Sequence, residues 1–243
     1  MELGRNVASP RAKRNRNNLP QAVEKDRHKM GGAIMGRSRR TVGMGLLLGF
    51  LVAFGTVGVS ARAAEPAATV LTLKGDCAVD TGGKHTLLVV GSELQVGDAI
   101  TVAEGAKLKI RLRDGSVISA ASGTKMTITE LATGGGHRDA AIALADGLLR
   151  AVVAPASQPS HFEVDTANGV AAVRSTDWFV EAAPGSTRVG VLTGLVSLTS
   201  RATDHAVDIP ARWGARLETG KDPVQPRIWQ DSEFDAVIAR TDL

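Results

Sequence analysis

Beyond residue 64 the chain alternates short apolar runs with turn residues almost to its end. Residues 69–73 and 86–90 are the first two runs of β type, and residues 99–102 a third. Glu104-Gly105 then leads into residues 107–113, where Leu108, Ile110 and Leu112 alternate with Lys107, Lys109, Arg111 and Arg113. A period of two puts the apolar side chains on one strand face and four cations on the other. Asp114-Gly115-Ser116 turns the chain into residues 117–120, and Met126, Ile128 and Leu131 mark a further strand over 125–131. Residues 133–139 hold three glycines and read as a flexible loop. The spacing over 140–149 allows a helix, but Asp146-Gly147 between apolar runs favours a turn between two strands.

Residues 162–200 carry the densest pattern. Phe162 and Val164 alternate with Glu163 and Asp165, Asn168-Gly169 supplies a tight turn, and residues 170–173 are apolar throughout. After Arg174-Ser175-Thr176-Asp177 a strand resumes at Trp178, with one aromatic on each face, so one of Trp178 and Phe179 is expected outside. Pro184-Gly185-Ser186 turns the chain into a strand through Val189, Val191, Leu195, Val196 and Leu198, broken at Gly194. Val207, Ile209, Trp213 and Leu217 suggest a last strand pair. Residues 221–226 are linker-like. Residues 231–240 read as a short helix, capped by Asp231 or Ser232, with Phe234, Val237 and Ile238 on one stripe. The fold class is therefore all-β, with a short C-terminal helix expected to cap the end of the stack. Loosely repeating turn-then-apolar units favour a solenoid-like stack of short strands, and a jelly-roll-like sandwich is the alternative.

The net charge of +4 hides a division. Residues 1–63 hold 12 Lys and Arg against 3 Asp and Glu, so residues 64–243 hold 17 against 22 and are acidic. The basic footprint needed for nucleic acid is missing from that part. Residues 1–63 read instead as an export signal: a basic segment ending in Arg37-Ser38-Arg39-Arg40, an uncharged apolar run over 41–59, and Ala61-Arg62-Ala63 as a cleavage site. Ser38-Arg39-Arg40 suits the twin-arginine route as well as the general secretory one. Met30 or Met35 as the start would give the leader ordinary length. An uncleaved inner-membrane anchor is the alternative, since the apolar run is long enough to span. Either way residues 64–220 form the expected all-β domain outside the cytoplasm, followed by a tail over 221–243. Cys77 is the only cysteine, so no intrachain disulfide forms; it reads as a small buried hydrophobe.

The 162–200 stretch resembles the signature of the FecR domain family, the periplasmic sensing part of iron-siderophore sigma regulators and of simpler envelope proteins. Thr166, Ala171, Val173, Arg174, Thr176, Phe179 and Val180 fill its pattern with a one-residue offset around Trp178, and Gly194, Val196 and Leu198 follow in step. Ser175 stands where the family usually has glycine, which implies that no positive φ is required there or that strain is tolerated. Residues 91–98 are similar to the family's upstream turn, so the likeness covers about residues 70–200. It implies an interaction module in the periplasm whose protein partner is a membrane sensor or a TonB-dependent transporter. Residues 1–40 are too short, too basic and too poor in apolar residues to build the family's cytoplasmic anti-sigma domain.

Catalytic chemistry finds no support. His85, His137, His161 and His205 are scattered without metal-ligand spacing, no nucleophile elbow occurs, and no phosphate-binding glycine loop is present. No enzyme activity, cofactor or metal is expected. Two candidate surfaces remain. Lys107, Lys109, Arg111 and Arg113 form a basic line for an anionic envelope polymer, glycolipid or acidic partner, with a solvated sheet face as the plain reading. The signature residues Thr166, Val173, Arg174, Ser175, Thr176, Asp177 and Gly194 are the second. Arg174 is expected to act as a staple, satisfying carbonyls of successive coils with its five donors, and a ligand contact is the alternative.

Overall fold

The computed structural model describes residues 65–158 and 160–243. The export signal expected over residues 1–63, with its starts at Met30 or Met35, lies outside the described residues. Among the described residues no helix is long and apolar enough to cross a membrane.

The apolar runs become short strands. In chain order they are β1 (Ala68–Lys74), β2 (Cys77–Thr81), β3 (Lys84–Leu87), β4 (Glu93–Leu94), β5 (Ala99–Val102), β6 (Lys107–Leu112) and β7 (Val117–Ala120). The long pair β8 (Lys125–Gly134) and β9 (His137–Val152) follows. Then come β10 (His161–Asp165), β11 (Gly169–Val173), β12 (Asp177–Ala183), β13 (Ser186–Thr193), β14 (Leu195–Ser200), β15 (Ala206–Pro210), β16 (Trp213–Glu218) and β17 (Arg227–Ile228). The chain ends in the helix α1 (Asp231–Thr241).

These strands form two open layers. The first runs β4, β1, β6, β7, the second part of β9, β12, β13, β16 and β17. The second runs β3, β2, β5, β8, the first part of β9, β10, β11, β14 and β15. After their first strands both layers advance in chain order, which is the progressive stack expected from the repeating turns. Every pairing is antiparallel except β9 with β10. The chain therefore climbs by hairpins that change layer rather than by parallel coils.

One core lies between the layers. Ile110, Ile118, Leu149 and Val180 from the first and Phe162, Val164, Val196 and Leu198 from the second belong to a single fully buried cluster. Burying each such side chain is worth about 1.5–3 kcal/mol. The period-two alternation selects which residues take part: in β6, Leu108, Ile110 and Leu112 turn inward while the intervening cations stay outside.

The structure departs from the sequence reading in the middle of β9. Asp146-Gly147 does not end a strand; it passes one continuous strand from the second layer to the first. Gly147 has φ +96°, and a Cβ there would stand 2.5 Å from the Thr124 Cα, so both backbone and space require glycine. The Thr124 hydroxyl holds the crossing, accepting from the Leu148 N–H at 3.2 Å and donating to its carbonyl at 3.1 Å. The loop expected over 133–139 is likewise a tight turn at Gly135-Gly136, with residue 138 buried.

The tail also differs. Helix α1 does not cap the end of the stack but lies on the outer face of the first layer. There Phe234 and Val237 join Ala121, Leu148, Phe179 and Trp229 in a second buried cluster. Phe179 points outward, as the alternation requires, yet is fully buried because this cluster covers it; Trp178 fills the main core. Gly190 and Gly214 make the room: a Cβ would come within 2.3 Å of the Phe179 ring at Gly190 and within 2.1 Å of the Trp229 indole at Gly214. The helix begins at Gln230, whose N–H donates to the Glu233 carboxylate at 3.0 Å, one residue before the expected cap.

Candidate functional site

The signature residues divide into anchors and one free group. Thr166 is an anchor. Its hydroxyl accepts from the Gly169 N–H at 3.2 Å and meets the Thr187 hydroxyl at 2.7 Å, joining the β10–β11 turn to β13 across the layers. Asn168 extends this buried network, donating to Thr187 and accepting from Thr219. Val173 ends β11 in the core. The Thr176 carbonyl accepts from the Val153 N–H at 2.9 Å, and the Asp177 carboxylate takes both forks of Arg150 at 3.0 and 2.9 Å. That hydrogen bond to Asp177, ahead of the opposing effect of burial, raises the Arg150 pKa above its ordinary value. Gly194 has φ +94°, and a Cβ there would sit 2.8 Å from the Thr176 hydroxyl and 2.9 Å from the Ser175 carbonyl. Ser175 has no such need of glycine: among the described residues, positive φ outside glycine occurs at Asp204 and Arg212.

Arg174 is not the staple. Its side chain is exposed and makes no hydrogen bond or ion pair among the described residues. The role expected of it belongs to Arg138, which is 3% exposed. Arg138 donates from Nη1 to the Asp114 carboxylate at 3.0 Å and to the Ala154 carbonyl at 2.7 Å. From Nη2 it donates to the Arg174 carbonyl at 2.7 Å and to the Ser160 hydroxyl at 3.5 Å. Its guanidinium also lies 5.8 Å from the centre of the Phe162 ring. Asp114 is itself fixed by the N–H and hydroxyl of Ser116. The sequence carries the signal, since residues 138, 140, 142 and 144 share the inward face of one period-two run, but the glycines at 134–136 give position 138 the look of a loop.

Above these anchors the loop of residues 174–176 borders a cleft of about 460 Å³ on the second layer. Ala172 and Ser197, which pair in register, line it together with His161, Arg174, Ser175 and Leu195. His161 is engaged with Glu163 at 2.8 Å. Leu195 is 52% exposed, a large apolar side chain left uncovered. The loop is thus held from below at its backbone, and it presents one uncommitted cation beside an apolar side chain and small polar groups.

Residues 98–197 match the model of the family described as FecR protein. Over this stretch the chain is similar to a FecR domain. The match takes in the cleft, the Arg138 anchor and nearly all of the signature. No curated protein matches the chain. Two crystal structures of a Parabacteroides distasonis protein, provisionally assigned as an anti-sigma factor, are similar at 19% identity, with TM-scores of 0.47 and 0.48. The likeness covers 57% of this chain, and the chain spans 63% and 62% of theirs, under two thirds of their length.

The basic line over residues 107–113 is divided by the structure. Lys107 donates from Nζ to the Ala239 and Asp242 carbonyls, both at 2.8 Å, and so closes the C-terminal end of α1. Arg113 donates to the carbonyls of Glu65, Pro66 and Leu131 and to the Thr133 hydroxyl. Lys109 and Arg111 make no hydrogen bond or ion pair among the described residues, so two of the four cations remain for solvent or a ligand. Among the described residues no three His, Cys, Asp or Glu side chains converge on a metal site. Cys77 is buried, and desolvation followed by the Asp76 charge pushes its thiol pKa up, away from the reactive thiolate.

Proposed function

We propose that this FecR-like domain is a non-enzymatic protein-interaction module of the periplasm, acting in envelope sensing or scaffolding, and that its partner seats on the cleft bordered by residues 174–176. The family likeness supports a signalling or regulatory role in the envelope. The observation that carries the reading is Arg174: a free guanidinium on a loop whose backbone is fixed by a buried arginine. A preformed loop reduces the ordering cost of binding, which is where affinity is usually lost. The partner is a membrane sensor or a TonB-dependent transporter, as the family likeness suggests. The anionic-polymer reading keeps the exposed pair Lys109 and Arg111, and its binding must weaken with salt.

The test is site-specific photo-cross-linking in intact cells from position 175, with the exposed position 183 on the other layer as control. A discrete adduct with one envelope protein from position 175, absent from position 183, is the expected result. Adducts of equal pattern from both positions, or none from position 175, overturn the assignment of the cleft.

A further inference from the structure

The cleft selects a ligand chemistry, and this inference rests on the reading of the cleft as the seat of a partner. Its floor is Ala172 and Ser197, which leave the sheet surface low and open to an extended segment. The same register row continues outward on both sides to acids. Glu163 pairs with Ala172 on one flank and Asp208 with Ser197 on the other. Glu130 and Asp139 stand on the same outer face further along. Glu163 and Asp139 are met by His161 and His137, both at 2.8 Å, while Asp208 and Glu130 make no ion pair among the described residues, so Arg174 is a free guanidinium on a face that keeps uncompensated acids.

That arrangement discriminates between anions. A phosphate group brings a charge of about −1.5 to −2 and needs several cations or N–H donors around it. Here one guanidinium is offered, and flanking carboxylates repel the second charge. A carboxylate carries a single charge and matches the planar fork of an arginine with two parallel hydrogen bonds. Beside the guanidinium, exposed Leu195 offers apolar contact, and the Ser175 and Ser197 hydroxyls offer hydrogen bonds to a peptide backbone.

We infer that the cleft is a recognition site for a single carboxylate presented on an extended peptide next to an apolar side chain, with Arg174 as the group that grips it. The carboxylate comes from an aspartate or glutamate side chain or from a chain terminus. Acid-rich segments and phosphorylated segments are disfavoured by Asp208, the flanking acid that makes no ion pair among the described residues.

Titration of the isotope-labelled full chain followed by amide NMR tests this with four probes. They are acetyl-Val-Asp-Val-amide, its Asn counterpart, acetyl-Val-Val with a free C-terminus, and inorganic phosphate. Saturable shifts at Ser175, Leu195 and Ser197 are expected with the aspartate peptide, the free-terminus peptide or both, and which of them responds identifies the source of the carboxylate. The Asn peptide should bind at least tenfold more weakly, Arg174→Gln should cost a similar factor, and phosphate should leave these amides unmoved. Equal binding of the Asp and Asn peptides, tighter binding of phosphate, or no saturable shift with either carboxylate probe overturns the inference. A cross-link from position 175 without carboxylate selectivity would refute this chemistry alone. Selective peptide binding without any cross-link would refute the seating of an envelope partner and leave the chemistry standing.

Discussion

The outer faces of the two layers are built to opposite ends. The first layer turns Leu148 and Phe179 outward and covers them with Trp229, Phe234 and Val237 from the tail. Its charges are mostly spent: Arg150 on Asp177, Arg188 and Arg240 on Glu181, Arg227 on Glu233, Lys107 on helix carbonyls. The second layer turns Ala141, Ala143, Ala172 and Ser197 outward and has no such cover over the signature. Large outward side chains need a lid, while small ones leave a surface that another chain can approach. The difference explains the first face by folding and leaves the second free for the partner proposed above.

The largest effect should come from the anchor beneath the open face. Arg138→Ala leaves Asp114 charged, buried and unpaired, which costs about 3–5 kcal/mol. A chemical denaturation midpoint should fall accordingly, and adding Asp114→Ala should recover part of the loss. If the single variant unfolds like the parent, the anchor is not what fixes the loop.

On the closed face, Phe179→Ala removes a fully buried ring from beneath the tail and should cost about 3–5 kcal/mol. Gly214→Ala forces a Cβ against the Trp229 indole and should cost about 1–3 kcal/mol as overpacking. Both should free the tail to limited proteolysis before the layers unfold. Equal protection of the tail in parent and variants would break the division between the faces.

Lys107→Ala should be milder, about 0.5–1 kcal/mol, because it removes a surface cation from a helix C-terminus. Lys109→Ala with Arg111→Ala should stay within about 0.5 kcal/mol, as exposed substitutions do. Thermal melts of the single and the double variant should rank in that order.

The smallest effect is one of pH and is read on the tail helix. The Arg227 hydrogen bond and then the Gln230 backbone N–H hold the Glu233 carboxyl below its ordinary range. A carboxyl with a depressed folded pKa contributes stability that is present above its unfolded value, about 4.3. That contribution is lost as pH falls through the lower folded value. Amide exchange over α1 should therefore rise on acidification below that point while exchange at residues 174–176 follows global unfolding. A parallel rise at both places would argue against an independent tail.

How much of this was legible follows from the residues. Strict alternation in β6 and the turn glycines around β12–β14 fixed strands, inward faces and the all-β class, because period two has one structural solution when one face is dry. The signature was readable as a place but not as a mechanism. Arg138 follows the glycine turn and Arg174 opens a turn after an apolar run, and only the extension of β9 back to residue 137 puts Arg138 in step with the inward face of that strand. The tail's position was hidden as well, since the room for Phe179 and Trp229 is made by Gly190 and Gly214, whose absence of side chain gives no hydrophobic signal. Basic residues 107 and 113 look like 109 and 111 in the sequence because tertiary partners 18 to 135 positions away distinguish them.

The most direct measurement of the central claim pairs stability and capture in one variant. Arg174→Ala should melt within about 0.5 kcal/mol of the parent, since its guanidinium holds nothing within the described domain, and should abolish the cross-link from position 175. A melting loss comparable to that of Arg138→Ala, or an undiminished cross-link in a normally folded variant, would contradict the account.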